Sequence, residues 1–125
     1  MRFVKARLAI IFVFVAVIIA GCGFPPAPPP ELHGDPFLVC TRAHESDRDD
    51  VNGNGLHDAG YATNTGNGYY GAYQFLQSTW DKTAEHADWP ALIGVRPNTA
   101  SVDHQDMMAW ALYEWYGKSP WGYRC

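Results

Sequence analysis

The sequence predicts one small, mainly helical domain of the α+β class, with about three helices and a short β-hairpin or loop. Three observations lead to this prediction. The chain has 125 residues, and once an N-terminal export signal is set aside, enough remains for one domain but not for two. Apolar residues recur at helical spacing in three segments. Between the first two segments lies a stretch rich in Gly, Asn and Asp, which is typical of a loop.

Residues 1–21 have the composition of a signal peptide. Arg2, Lys5 and Arg7 give a positive start, and residues 8–20 form an unbroken apolar run. As a helix this run would rise about 20 Å, which is short of the roughly 30 Å hydrocarbon core of a bilayer. The pattern therefore favours a cleaved signal. The alternative, a longer uncleaved span, would place two glycines and a cysteine in lipid.

The signal ends in Ile19-Ala20-Gly21-Cys22, which resembles the bacterial lipoprotein signal. That resemblance implies lipidation of Cys22, which becomes the new N-terminus. More than one acyl chain holds a protein durably on a membrane. We therefore expect an exported protein, anchored by lipid to the cell membrane and facing the cell wall.

Residues 22–36 are predicted to be a linker, and residues 37–125 the domain. The run Gly23-Phe24-Pro25-Pro26-Ala27-Pro28-Pro29-Pro30 favours an extended polyproline II spacer. Such a spacer reaches at most about 40 Å at its rise per residue. No internal repeat is visible.

Three cysteines are an odd number, so the assignment of Cys22 to lipid leaves Cys40 and Cys125 as an even pair. An exported protein enters an oxidising compartment, where this pair can persist as a disulfide. Such a bond would stabilise the fold by about 4 kcal/mol in the chain-entropy model. Two free thiols are the alternative.

The first helix should begin at Asp35-Pro36, because Asp is a favoured N-cap and Pro suits the first helical position. It should end near Ser46. Residues 47–68 are predicted to be loop, and residues 69–75 a short strand or turn that leads into the second helix.

The second helix is predicted from a capping-box pattern, Ser78-x-x-Asp81. The third should begin at Ser101, with Asp103 favourably near its N-terminus, and end at Gly117. Its apolar face is predicted from residues at i, i+3, i+4 and i+7, namely Met108, Ala111, Leu112 and Trp115.

Glu45 lies where the first helix meets the polar loop. Partial burial of a carboxyl group raises its pKa, which favours the protonated form. An enzyme that cleaves glycosidic bonds needs such an acid to protonate the leaving oxygen. The alternative is an ordinary solvated Glu at a helix end.

The pair Glu45-Ser46, the run Asn64-Thr65-Gly66-Asn67-Gly68-Tyr69-Tyr70-Gly71-Ala72-Tyr73-Gln74-Phe75 and the segment Gln77-Ser78-Thr79-Trp80 together resemble the resuscitation-promoting factor and transglycosylase-like family. The Glu-Ser pair and the Gly-x-x-Gln turn are also similar to those of lytic transglycosylases. The resemblance covers roughly residues 37–125.

The resemblance implies a lysozyme-like fold that cuts the bond between N-acetylmuramic acid and N-acetylglucosamine in peptidoglycan, with Glu45 as the catalytic acid. It places Tyr69, Gln74 and Thr79 at sugar-contacting positions. Trp80 lies beside them and is a further candidate for sugar binding, with core packing as the alternative.

The chain departs from the family pattern in two places. The family has a cysteine immediately before the Glu, whereas Cys40 precedes Glu45 by five residues. The family also has a glutamine in the last helix region, where this chain has Trp115 and Tyr116. Tyr116 is therefore a candidate replacement donor to the sugar.

No second carboxylate is evident opposite Glu45, because Asp47, Asp49, Asp50 and Asp58 all lie in a loop whose shape the sequence does not predict. Hydrolysis of this type uses a second carboxylate, so the pattern favours a transglycosylase over a hydrolase. Lysozyme-type hydrolysis stays an alternative. A non-catalytic, peptidoglycan-binding surface lipoprotein is the second functional hypothesis, since a fold does not fix a function.

The loop after Glu45 matches the first nine positions of a Ca²⁺-binding loop, with candidate ligands at Asp50, Asn52, Asn54 and Asp58. Its twelfth position, where a bidentate carboxylate is needed, is Tyr61. A solvated acidic loop is the favoured interpretation, so we expect no metal or cofactor.

The remaining charge and motifs exclude two other classes of protein. Residues 1–21 hold three of the nine Lys and Arg and none of the 13 Asp and Glu, so the rest of the chain has a formal charge of −7. An acidic domain repels phosphate backbones, so nucleic-acid binding is not expected. Arg48 stands where a zinc peptidase motif starting at His44 needs its second histidine.

Overall fold

The computed structural model describes residues 23–46 and 59–125. The predicted signal peptide, Cys22 and the four candidate Ca²⁺ ligands Asp50, Asn52, Asn54 and Asp58 lie outside these residues. The described part contains three helices, α1 (Pro36–Glu45), α2 (Gln77–His86) and α3 (Val102–Tyr116), and two strands, β1 (Tyr69–Tyr70) and β2 (Phe75–Leu76). The predicted mainly helical α+β fold of a small lysozyme-like domain is confirmed.

The ends of α1 and α3 follow from local chemistry, as predicted. The Asp35 carboxylate accepts hydrogen bonds from the backbone N–H groups of Phe37 and Leu38 at the start of α1. Ser101 Oγ accepts from the His104 N–H at the start of α3, and Gly117 ends that helix with a φ of 65°. These side chains satisfy backbone groups that a helix end leaves open.

The predicted capping box of α2 is wrong. The helix begins at Gln77 after Leu76, without a side-chain cap, so Ser78 lies inside its first turn. Asp81 instead accepts hydrogen bonds from Gln77 Nε2 at 2.9 Å and from the Gly94 N–H at 2.8 Å. The carboxylate therefore joins α2 to a distant loop.

Strands β1 and β2 form an antiparallel hairpin that pairs Tyr69 with Leu76 and Tyr70 with Phe75. Paired side chains share one face of a two-stranded sheet. Tyr69 and Leu76 are both exposed, whereas Phe75 is buried against Trp80. The hairpin thus has an outer and an inner face.

The core lies between the hairpin and the three helices. Its buried side chains come from the three helices, from β2 and the hairpin turn, and from 3-10 turns that include residues 90–92 and 119–121. Its large members include Leu38, Tyr61, Tyr73, Phe75, Trp80, Leu92, Met108, Leu112 and Trp121. Of the predicted apolar face of α3, Met108 and Leu112 are buried, but Trp115 is exposed.

Residues 23–31 differ from the predicted free spacer, because they lie against the domain. The Ala91 N–H donates to the Gly23 carbonyl at 3.0 Å, and the Phe24 ring stacks on His104. The segment ends at a 3-10 turn, Leu32–Gly34, in which Leu32 is buried in the core. We call residues 23–31 the strap.

None of the helices in residues 23–46 and 59–125 is both long and apolar enough to span a membrane.

Candidate active site

Glu45 is the last residue of α1 and is half-buried. The helix that presents it is held rigidly. Leu38 and Thr41 are buried, and Thr41 Oγ1 donates to the Phe37 carbonyl at 2.7 Å. The position of the Glu45 backbone is therefore set by the packing of the whole helix.

Ser46 fastens the end of α1 to the hairpin. Its Oγ donates to the Ala72 carbonyl at 2.7 Å, and its N–H donates to the Arg42 carbonyl at 3.0 Å. Gly60 packs so closely that a Cβ there would collide with Ser46 Oγ. The Glu-Ser pair thus has a physical role, because the serine holds the backbone next to the Glu45 carboxylate in position.

The turn that receives Ser46 is itself held from inside. Gln105 of α3 accepts a hydrogen bond from the Ala72 N–H at 3.0 Å, and a Cβ on Gly71 would collide with the same amide oxygen. Gln74 has a φ of 53°, and its Nε2 donates to the Gly71 carbonyl at 3.0 Å. The Gly-x-x-Gln sequence therefore closes a turn beside the end of α1.

An open groove lies between α2 and α3. Its volume is about 340 Å³. Its lining residues are Thr79, Lys82, Thr83, Leu112, Trp115, Tyr116, Ser119 and Pro120. Tyr116 is 56% exposed, and its ring lies 4.6 Å from that of Trp115. Trp115 in turn stacks on His86, with 3.9 Å between ring centroids.

The sequence-predicted residues therefore fall into separate places. Thr79 and Tyr116 share the groove. Glu45 directly precedes Ser46, and Gln74 follows Ala72 by two residues, so the hydrogen bond from Ser46 to Ala72 brings these two stretches of backbone together. Tyr69 is exposed on β1. The hairpin turn leads through β2 into the first turn of α2, which carries Thr79, so the chain connects the two regions directly.

A buried polar network lies behind the end of α1, and the sequence reasoning missed it. Asp106 of α3, 1% exposed, accepts from Tyr61 Oη and Tyr73 Oη, each at 2.5 Å. His33 Nδ1 lies 2.8 Å from Asp106 Oδ2. Arg42, 2% exposed and one turn before Glu45, lies 3.5 Å from Asp106 Oδ1.

Arg42 also ties the network to its neighbours. Its NH1 donates to Tyr73 Oη at 2.8 Å, and its NH2 donates to the His33 carbonyl at 2.8 Å. A buried charge needs such partners, because an unpaired one is very costly. The network therefore fixes α1 against α3, the hairpin and the turn that follows the strap.

The two tyrosines of the network stay protonated. Burial raises the pKa of both Tyr61 and Tyr73 above the ordinary value, because it disfavours the phenolate. The nearby Asp106 carboxylate raises the pKa of each further. Both hydroxyls therefore act as hydrogen-bond donors to Asp106.

A comparison with known protein families identifies the family of this chain. Residues 52–124, more than half of the chain, match the transglycosylase-like domain. The chain belongs to this family.

A second comparison gives a relative. The chain is 45% identical over 60 residues to the probable transglycosylase SceD of Staphylococcus haemolyticus. The aligned part is 48% of this chain and 24% of the relative, so the chain spans about a quarter of that protein's length. No solved structure matches the chain. The match to the transglycosylase-like family includes the hairpin and both sides of the groove, but it begins after Glu45.

Within this transglycosylase-like domain, Trp80 belongs to the core, which corrects its assignment to the groove. Its side chain is 0% exposed, and its Nε1 donates to the Leu92 carbonyl at 2.8 Å. A buried indole whose N–H is already paired has no surface to offer a sugar. Its neighbour Thr79 lines the groove instead.

The disulfide between Cys40 and Cys125 is confirmed, with 5.8 Å between the Cα atoms. The displacement of Cys40 from Glu45 therefore does not prevent the bond. His44 Nδ1 or Nε2 and the two sulfurs lie within 4.8 Å of one another. Because the sulfurs are bonded to each other, they are not thiolate ligands for a metal.

Tyr61, the twelfth position of the candidate Ca²⁺ loop, points into the core and donates to Asp106. It therefore supplies no ligand to that loop. The candidate ligands themselves lie outside the described residues, and the absence of a metal stays a prediction.

Proposed function

We propose that this protein is an exported, lipid-anchored enzyme that cleaves the bond between N-acetylmuramic acid and N-acetylglucosamine in peptidoglycan. One observation carries the proposal. A half-buried carboxyl group, Glu45, stands at the end of a rigid helix, and Ser46 holds that helix end against the turn leading to the groove. Membership of the transglycosylase-like family supports peptidoglycan as the substrate.

Glu45 is the general acid in this proposal. It donates its proton to the glycosidic oxygen as the bond to the sugar carbon breaks, so the departing sugar leaves as a neutral alcohol. A hydroxyl of the remaining sugar then bonds to that carbon and returns a proton to Glu45. The product is an anhydro-sugar, and no water is consumed.

The network carboxylate does not supply the second group that hydrolysis uses. Asp106 is buried and already accepts hydrogen bonds from Tyr61 and Tyr73. This supports the transglycosylase route over the muramidase route. Asp47, Asp49, Asp50 and Asp58 lie outside the described residues, so product analysis has to distinguish the two routes.

The groove between α2 and α3 is the proposed site for the glycan strand. The exposed face of Tyr116 suits stacking on a sugar ring, and its hydroxyl can donate where the family has a glutamine amide. Thr79 lies across the same groove. Tyr69 and Gln74 are proposed to contact sugar nearer to Glu45.

Lipidation of Cys22 is the proposed means of attachment to the membrane. It rests on the lipoprotein-like sequence at residues 19–22. Replacement of Cys22 by Ser should move the protein from the membrane fraction to the soluble fraction. Retention of the variant in the membrane fraction would disprove the anchor.

A non-catalytic, peptidoglycan-binding lipoprotein is the second candidate. It is favoured by the family match, which begins after Glu45, and by Tyr116, which replaces the family's glutamine. In that case the groove would bind glycan strands without releasing products.

One experiment distinguishes these functions. The soluble domain is incubated with purified sacculi, and the released muropeptides are analysed by mass spectrometry. The variants are Glu45→Gln and, as a matched control, Glu85→Gln on the exposed surface of α2. Anhydro products that only Glu45→Gln abolishes support a transglycosylase. Hydrated products indicate a muramidase, and binding to sacculi without release indicates a binding protein.

A further inference from the structure

The strap lies against the N-terminal part of α3 instead of leaving the domain. Phe24 stacks on His104 near the start of the helix, with 5.2 Å between ring centroids. Further along, Pro26, Ala27 and Pro29 line a cavity of about 400 Å³ together with Met107 and Trp110. The strap then enters the core through Leu32.

The first described residue of the strap is fixed on the surface. The Gly23 carbonyl accepts from the Ala91 N–H at 3.0 Å. Gly23 has a φ of +73°, and a Cβ on it would lie 2.8 Å from Pro90 Cγ. Only glycine fits this contact without strain. Gly23, which follows Cys22 in the sequence, is therefore held at the Pro90–Leu92 turn.

The two segments that meet at this contact carry no charged side chains of their own, although the domain is strongly acidic. Neither residues 23–30 nor residues 89–95 include any Asp, Glu, Lys or Arg. Two large apolar side chains on these segments face solvent: Phe24 is 48% exposed and Ile93 is 47% exposed. We call this the Phe24/Ile93 face. The two segments bring apolar side chains to a bilayer surface, and the nearby Asp81 carboxylate is paired with the Gly94 N–H at 2.8 Å.

We propose that the docked strap holds the Phe24/Ile93 face against the lipid bilayer, so that the domain has one fixed orientation at the membrane surface. The inference rests on the lipidation of Cys22 proposed above. The acyl chains enter the bilayer one residue before Gly23, so this face is the part of the domain that meets the headgroups.

This arrangement limits which glycan strands the enzyme reaches. A domain of this size is roughly 30 Å across. With the strap docked, the groove works within about that distance of the membrane. An extended strap of residues 23–30 would add up to about 25 Å at 3.1 Å per residue. The substrate is therefore glycan close to the membrane.

Neutron reflectometry on the lipidated full-length protein in a supported phosphatidylcholine–phosphatidylglycerol bilayer tests the proposal. The native protein should form a layer that begins at the headgroups. Gly23→Val should undock the strap and move the layer outwards by about 25 Å. Gly34→Val is the matched control, because a Cβ at Gly34 has no heavy atom within 4 Å. Its layer should stay at the native position.

Hydrogen exchange measured on the same samples tests the docking separately. Peptides that contain Ala91 should exchange faster in Gly23→Val than in the native protein or in Gly34→Val, because the acceptor of the Ala91 N–H is lost. Equal exchange in all three proteins would overturn the docked strap.

Failure of the lipid anchor and failure of this inference give different results. Mass spectrometry that finds no lipid on Cys22 removes the anchor and, with it, this inference. A lipidated native protein whose layer stands off from the headgroups by tens of ångströms overturns the inference alone and leaves the anchor and the catalytic proposal intact.

Discussion

Two regions of the molecule, the buried network behind the end of α1 and the groove between α2 and α3, differ in how much of their side chains is exposed. Behind α1, the side chains of Arg42, Tyr61, Tyr73 and Asp106 are buried and are joined by hydrogen bonds. In the groove, Trp115 and Tyr116 are exposed and stack at a tilt. The buried side chains are held in place by their hydrogen bonds, whereas the groove side chains have exposed surface that a ligand can contact. We infer that the first positions Glu45 and the second binds the glycan.

The largest expected effect is on the buried side. Asp106→Asn should lower the free energy of unfolding by about 3–5 kcal/mol, because it removes the carboxylate that lies 3.5 Å from the buried Arg42 guanidinium. Urea unfolding measures this. Asp103→Asn, at an exposed position of the same helix, is the control and should cost less than about 1 kcal/mol. Equal losses in the two variants would mean that the network is not a special source of stability.

The disulfide should contribute nearly as much to the free energy of unfolding. The bond closes a loop of 85 residues, so the Cys40→Ser, Cys125→Ser double variant should lose about 4 kcal/mol in the chain-entropy model. Thermal unfolding of the native protein with and without a reductant gives an independent estimate. A reduced native protein that melts at the oxidised temperature would contradict this prediction.

A smaller effect on the free energy of unfolding is expected at alkaline pH. Because the folded-state pKa values of Tyr61 and Tyr73 are raised, their contribution to stability is complete below the unfolded pKa of about 10 and is lost as the pH rises above it. Each tyrosine should contribute about 1.4 kcal/mol per pH unit to that loss. Urea unfolding between pH 8 and 11 should therefore show a shallower slope for Tyr73→Phe, and an unchanged slope would refute the prediction.

The smallest effect is expected for a substitution in the groove, and it concerns substrate binding. Tyr116→Ala should raise KM about tenfold with little change in kcat, because it removes a contact that substrate and transition state share. Tyr123→Ala, at an exposed tyrosine that does not line this groove, should leave both constants unchanged. If Tyr116→Ala lowers kcat instead, Tyr116 acts on the reaction and not on binding alone.

Most of the features that could be predicted from the sequence are local. Asp35 and Ser101 cap their helices because the residues that they bind are two or three positions away. The fold class and the disulfide also followed from patterns within the chain. The family resemblance gave Thr79 and Tyr116, which share the groove.

The features that were missed depend on tertiary contacts. Arg42 and Asp106 are 64 positions apart, and charged residues are seldom fully buried. Trp80 suits a core or a groove equally well by composition, so only its burial decides. The strap has the composition of a free linker, and its contacts with Ala91 and His104 are invisible in the sequence.

The initial rate of muropeptide release from sacculi by the native protein and by Glu45→Gln tests the central claim most directly. Thermal unfolding of both proteins first establishes that they are equally stable. We expect the variant to retain the native melting temperature and to lose at least about 100-fold in rate, the usual contribution of a general acid. A variant that releases muropeptides at the native rate would contradict the assignment of Glu45 as the acid.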